Sequence, residues 1–116
     1  LLHAARQGRA ALVARLLKAR ANPDRADRHG NTPLLYAAAR GHTDAVAALL
    51  AARAKPDLVD SEGRSALMQA ANQGHTAVVE QLLKAGASRS LRDRAGRDAQ
   101  AHAASHPELQ ARLAAR

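Results

Sequence analysis

The stretch Asp27-Arg28-His29-Gly30-Asn31-Thr32-Pro33-Leu34-Leu35-Tyr36-Ala37-Ala38-Ala39-Arg40-Gly41-His42 decides the fold. Its first five residues are turn formers, with Gly30 free to take positive φ. Thr32 offers an N-cap oxygen, and Pro33 stands at the first helical position, where its missing N–H does no harm. Leu34, Ala37 and Ala38 then form one apolar stripe at helical spacing, and Gly41 ends the helix. Thr43 or Asp44 opens a second helix, with Val46, Leu49 and Leu50 as its buried face. Ala54 and Pro56 lead the chain out toward Asp60, where the same grammar restarts.

The restart is periodic. Gly8, Gly41 and Gly74 lie 33 residues apart, as do Ala21, Ala54 and Ala87, and Asp27, Asp60 and Asp93. Leu1, Leu34 and Leu67 keep that step, and so do Leu16, Leu49 and Leu82, and Leu17, Leu50 and Leu83. Many columns sharing one period mark a repeat architecture. The period divides the chain into a partial unit over 1–26, full units over 27–59 and 60–92, and a C-terminal cap over 93–116.

Composition agrees. The 116 residues include no Phe, Trp or Cys and one Tyr, so alanine and leucine must fill the core. Small side chains let helices pack closely, which favours an all-α fold. The absence of Cys excludes a disulfide scaffold or a thiolate zinc site and fits a reducing, cytoplasmic compartment, with a periplasmic or secreted location left open. No run approaches the length of a membrane span. The chain begins Leu1-Leu2, two apolar residues that need cover, so the natural polypeptide is expected to extend N-terminally.

The run Asn31-Thr32-Pro33-Leu34, followed by Ala37-Ala38, Gly41-His42 and Leu49-Leu50, resembles the ankyrin repeat. The next unit carries Gly63, Ser65-Ala66-Leu67, Ala70-Ala71, Gly74-His75, Val78-Val79, Leu82-Leu83 and Gly86-Ala87 in the same pattern. The resemblance covers essentially the whole chain. It implies a solenoid of antiparallel helix pairs with hairpin-like loops projecting between neighbours. It also implies structural roles for His42 and His75, bridging loop and helix. Arg20 and Arg53 stand where the family, like Gly86 here, usually has glycine, and those two loops are expected to bend differently. In the last unit Asp98 replaces Thr, Gln100 replaces a core Leu, and Ser105-His106-Pro107-Glu108 replaces the Gly-His turn. Terminal repeats face water on one side, so this end reads as a cap.

A repeat that cannot bury its own apolar face must stack on its neighbours. Leu34, Leu49, Leu50, Leu67, Leu82 and Leu83 are therefore the expected central core. The resemblance implies a concave protein-binding face built from loop tips and the outward side of each first helix. On this sequence that face comprises Arg6 and Gln7, then Arg28, His29, Asn31, Tyr36 and Arg40, then Ser61, Glu62, Arg64, Gln69, Asn72 and Gln73, then Arg94, Arg97, His102 and His106. His3, Tyr36, Gln69 and His102 form one column. It reads either as a half-buried polar column satisfied by loops or as a ladder along the groove with Tyr36 as aromatic anchor.

Catalysis finds no support. The glycines fall one per turn and not in a phosphate-binding cluster. The serines lack a nucleophile context, and Asp27, Asp60 and Asp93, like Asp24 and Asp57, recur in register as loop residues. His102 and His106 have a zinc-compatible spacing but no evident third ligand. The expectation is a non-enzymatic recognition module, without cofactor or metal, acting as a monomer or as part of a longer chain. The net charge of +8 points to a partner with an acidic surface, although Arg-over-Lys bias and abundant Ala also follow from GC-rich coding. Two other readings compete: a recognition domain of a larger enzyme or secreted effector, and a nucleic-acid surface. The cluster Arg89, Arg92, Arg94 and Arg97 favours nucleic acid, while the lack of stacking aromatics and of a known reading module stands against it.

Overall fold

Side-chain oxygens start the first helix of each later unit. Thr32 accepts from the Leu35 amide at 3.2 Å, Ser65 from Met68 at 3.3 Å and Asp98 from Ala101 at 2.9 Å. The computed structural model describes residues 1–114 and contains, in order, α1 (Leu2–Arg6), α2 (Ala10–Lys18), α3 (Pro33–Ala39), α4 (Thr43–Ala51), α5 (Ala66–Asn72), α6 (Thr76–Lys84), α7 (Ala99–His102) and α8 (Pro107–Ala114). Such short helices are marginal alone and depend on packing. They pack in two rows: α1, α3, α5 and α7 side by side, and α2, α4 and α6 side by side behind them. The resulting slab measures 39 × 26 × 21 Å. No helix among the described residues is long and apolar enough to cross a membrane.

The core lies between the rows. Leu34, Leu49, Leu67 and Leu82 are buried as expected, but Leu50 and Leu83 are only half-buried at its margin. Adjacent residues on a helix point about 100° apart, so Leu49 and Leu50 cannot both face the centre. Leu35 and Met68, by contrast, are fully enclosed. Each middle first helix is flanked by two first helices and backed by its own second helix, so its apolar stripe is wider than the sequence pattern indicates. At the C-terminal end Gln100 is exposed, while Leu109 and Leu113 of α8 are buried. Arg112 pairs with Glu80 through two contacts, 2.7 and 3.1 Å, fastening α8 to α6.

Histidine joins neighbouring units. The Nε2 atoms of His42, His75 and His106 lie 3.1, 3.2 and 3.2 Å from the carbonyls of Arg6, Ala39 and Asn72, the last residues of the preceding first helices. The bridge thus runs between units. His106 takes this seat although the Gly-His turn is absent from its unit. Each ring lies over the glycine of the preceding unit: a Cβ on Gly41 would stand 2.6 Å from His75 Nδ1. The connectors also differ from expectation. Arg20 (φ 68°) and Arg53 (φ 66°) adopt the left-handed conformation of Gly86 (φ 87°), so these loops bend alike despite the Cβ. The bonds they close, Ala21 N–H to Leu16 and Ala54 N–H to Leu49, have the geometry of Ala87 N–H to Leu82, each at 3.0 Å.

Candidate functional site

One aspartate organises each loop tip. Asp27 Oδ1 accepts the amides of His29 and Asn31 at 2.9 and 3.0 Å. Asp60 Oδ1 accepts those of Glu62 and Arg64 at 2.9 and 3.0 Å, and Asp93 Oδ1 those of Ala95 and Arg97, both at 2.9 Å. The main chain closes the same turn, with Asp27, Asp60 and Asp93 donating to the carbonyls of Asn31, Arg64 and Arg97 at 3.1, 3.0 and 2.9 Å. These are the hairpins expected between helix pairs. They also join in a row: Ser61 N–H donates to the His29 carbonyl at 3.0 Å, and Arg94 N–H to that of Glu62 at 2.9 Å.

The other carboxylate oxygen reaches the column of Tyr36, Gln69 and His102. Tyr36 Oη donates to Asp27 Oδ2, Gln69 Nε2 donates to Asp60 Oδ2 at 3.3 Å, and His102 Nε2 lies 2.8 Å from Asp93 Oδ2. Three chemically different donors therefore do one job, locking the first helix to its own tip. This is the loop-satisfied alternative for the column. The signal was present in the sequence as a fixed nine-residue offset from an aspartate to a donor. His3 is exposed. Tyr36 also carries the Arg6 guanidinium over its ring, 5.8 Å from the centroid.

These contacts tune the ionisable groups. The bond from Tyr36 holds the Asp27 carboxyl below its ordinary range, and the same bond pushes the Tyr36 phenol up. Backbone donation from Arg97, with His102 and the Arg97 charge, lowers Asp93 to about 2. Arg64 and Arg97 bend back onto Asp60 and Asp93 at 3.0 and 3.3 Å, so their charges are partly spent within the tip.

The remaining expected site residues divide cleanly. Arg28, His29, Glu62 and Arg94 are exposed on the tips, and Arg40, Asn72 and Gln73 are exposed at the far ends of α3 and α5. Asn31 is half-buried, its amide held by Asp27. Arg6, Gln7 and Ser61 are exposed, whereas His106 is drawn away into its bridge to Asn72. Two clefts open along the tips and first helices, one lined by Glu62, Arg64, Asp93, Ala95 and Arg97, the other by Leu2, His3, Arg6, Asp27 and Tyr36. The basic cluster read from the sequence splits: Arg94 and Arg97 belong to the last tip, while Arg89 and Arg92 lie on the connector before it. His102 and His106 turn their Nε2 atoms to separate acceptors, Asp93 and Asn72.

A family model described as ankyrin repeats, in three copies, matches residues 1–93. No curated protein matches the sequence.

Proposed function

Since the chain belongs to the ankyrin-repeat family, whose members are generally protein–protein interaction modules, we propose that it grips a protein partner along its row of tips and the outward sides of α3 and α5. The observation that carries this reading is the division of labour on that face. Asp27, Asp60 and Asp93, with Tyr36, Gln69 and His102, fix the tips. Arg28, His29, Glu62, Arg94, Arg40, Asn72 and Gln73 stand exposed beside the two clefts. A surface held rigid by one set of side chains and presented by another loses little conformational freedom on binding.

The partner is acidic on the contacting surface. Arg6, Arg28, Arg40 and Arg94 are exposed and outside the salt bridges of the described residues, with Glu62 as the exposed opposing charge. Such a field speeds encounter and disfavours basic competitors. Tyr36, Gln69, Arg64, Arg97 and His102 act chiefly as supports, contributing the surface that is left after their bonds to aspartate. The test is affinity capture from a native extract with the parent and with Arg28→Glu/Arg40→Glu/Arg94→Glu. The reading expects proteins recovered by the parent and lost by the variant at equal melting temperature. Recovery of the same proteins by both rejects it.

A further inference from the structure

Half of the net charge lies away from the tips. Between each second helix and the next hairpin runs a connector, residues 19–26, 52–59 and 85–92. These carry six cations, Arg20, Arg25, Arg53, Lys55, Arg89 and Arg92, against two carboxylates, Asp24 and Asp57. The surplus of four is half of the formal +8. Lys18 and Lys84, at the ends of α2 and α6, extend it. Neighbouring connectors are tied side by side, Lys55 N–H to Asp24 Oδ1 at 2.9 Å and Ser88 N–H to Asp57 Oδ1 at 2.8 Å. The cations therefore follow one edge of a slab 39 Å long. Five of the six are exposed, Arg89 is half-buried, and none makes a salt bridge among the described residues.

Backbone strain falls on the same edge. Arg20 and Arg53 are the only non-glycine residues with positive φ among those described. Any Cβ is disfavoured there, and Gly86 shows the unstrained choice at the equivalent place. Two of the edge cations, Arg20 and Arg53, thus stand where glycine would be the less strained choice.

We propose that this connector edge is a second binding surface, for the phosphate backbone of double-stranded nucleic acid, read without regard to base sequence. The charges form a row one connector deep, which matches a linear polyanion and not the plane of a bilayer. The row contains no aromatic side chain to stack on an unpaired base, and Val59 is the exposed large hydrophobic beside it. A stiff duplex already presents its phosphates at fixed spacing, whereas a flexible acidic peptide must be ordered to follow a rigid edge. Arginine, four of the five exposed cations being Arg20, Arg25, Arg53 and Arg92, suits phosphate through its forked donors.

The test is fluorescence anisotropy with a labelled mixed-sequence DNA duplex of about 20 base pairs, across a salt series. The variant is Arg20→Gly/Arg53→Gly, which removes two cations while relieving the backbone, so it melts at or above the parent temperature. Contact with about five phosphates gives the parent a log–log salt slope of about −4 to −5. The variant binds at least about tenfold more weakly, with a slope shallower by about 2. Arg25→Gln/Arg92→Gln, on ordinary backbone, shows a comparable loss. Equal affinity and slope in parent and variants overturns the proposal. So does a parent that binds phosphatidylserine vesicles or a polyglutamate peptide but not the duplex, or that binds none of the three.

Discussion

Replacing Gly41 by alanine probes the joint between units. Gly41 has φ +73°, and an added Cβ would meet His75 Nδ1, Cε1 and Cγ at 2.6, 2.8 and 3.0 Å. The left-handed backbone alone costs an alanine about 1 kcal/mol. The His75 ring must also shift, giving up its bond to the Ala39 carbonyl, a loss of about 1 kcal/mol, and repacking adds about 1 kcal/mol or more. The expected destabilisation is about 2–4 kcal/mol. Gly86 supplies the control: its φ is +87°, but nothing lies within 4 Å of the added Cβ, so Gly86→Ala costs only the backbone share. At about 4 °C per kcal/mol for a chain of this size, circular-dichroism melts should fall by about 8 °C or more for Gly41→Ala and about 4 °C for Gly86→Ala. In Gly41→Ala/His75→Ala the ring is gone, and a double-mutant cycle should recover about 1 kcal/mol or more of coupling. Equal losses at Gly41 and Gly86, or a cycle without coupling, would refute the stacked-ring joint.

Three other outcomes follow from the same geometry. Leu49→Ala, at a fully buried position, should lose about 2–5 kcal/mol in urea unfolding, and Leu50→Ala, at the half-buried margin, distinctly less. Asp93 falls from an ordinary 3.8 to about 2 in the folded chain, so its contribution is complete above about pH 4 and drains away toward pH 2. Melting temperature should therefore drop through that window, less steeply in Asp93→Asn. Tyr36→Phe removes the bond to Asp27 and should lower the melting temperature, whereas Arg40→Ala should leave it unchanged. In the parent, absorbance titration should place phenolate formation above the ordinary 10.0, and stability should weaken as pH rises through that step.

The 33-residue period made the helix pairs and hairpins legible, because each depends on residue types with strong local preferences: Thr32 and Pro33 at a helix start, Gly30 in a turn, Leu49 on a buried stripe. What escaped was set by neighbours. Leu50 and Leu49 look alike in sequence, and only the angle between them on α4 separates margin from centre. Leu35 is buried because α1 and α5 both flank α3. Arg20 and Arg53 resist reading because glycine's preference for the left-handed cap is moderate, and the bonds closing these connectors hold the turn with a Cβ present. The column of Tyr36, Gln69 and His102 read equally as a loop-satisfied column and as a groove ladder, because its residues differ. Their shared property, a donor nine residues after an aspartate, acquires meaning only once the hairpin folds over the helix.

Native-state hydrogen exchange at three equivalent tip amides tests most directly whether the units stack in register into one continuous row. Ser61 and Arg94 are exposed, yet each donates its N–H to the preceding tip, at His29 and Glu62. Arg28, the matching residue of the first hairpin, has no such acceptor among the described residues. Ser61 and Arg94 should exchange more than about tenfold more slowly than Arg28. Three amides exchanging at the same fast rate would contradict the row.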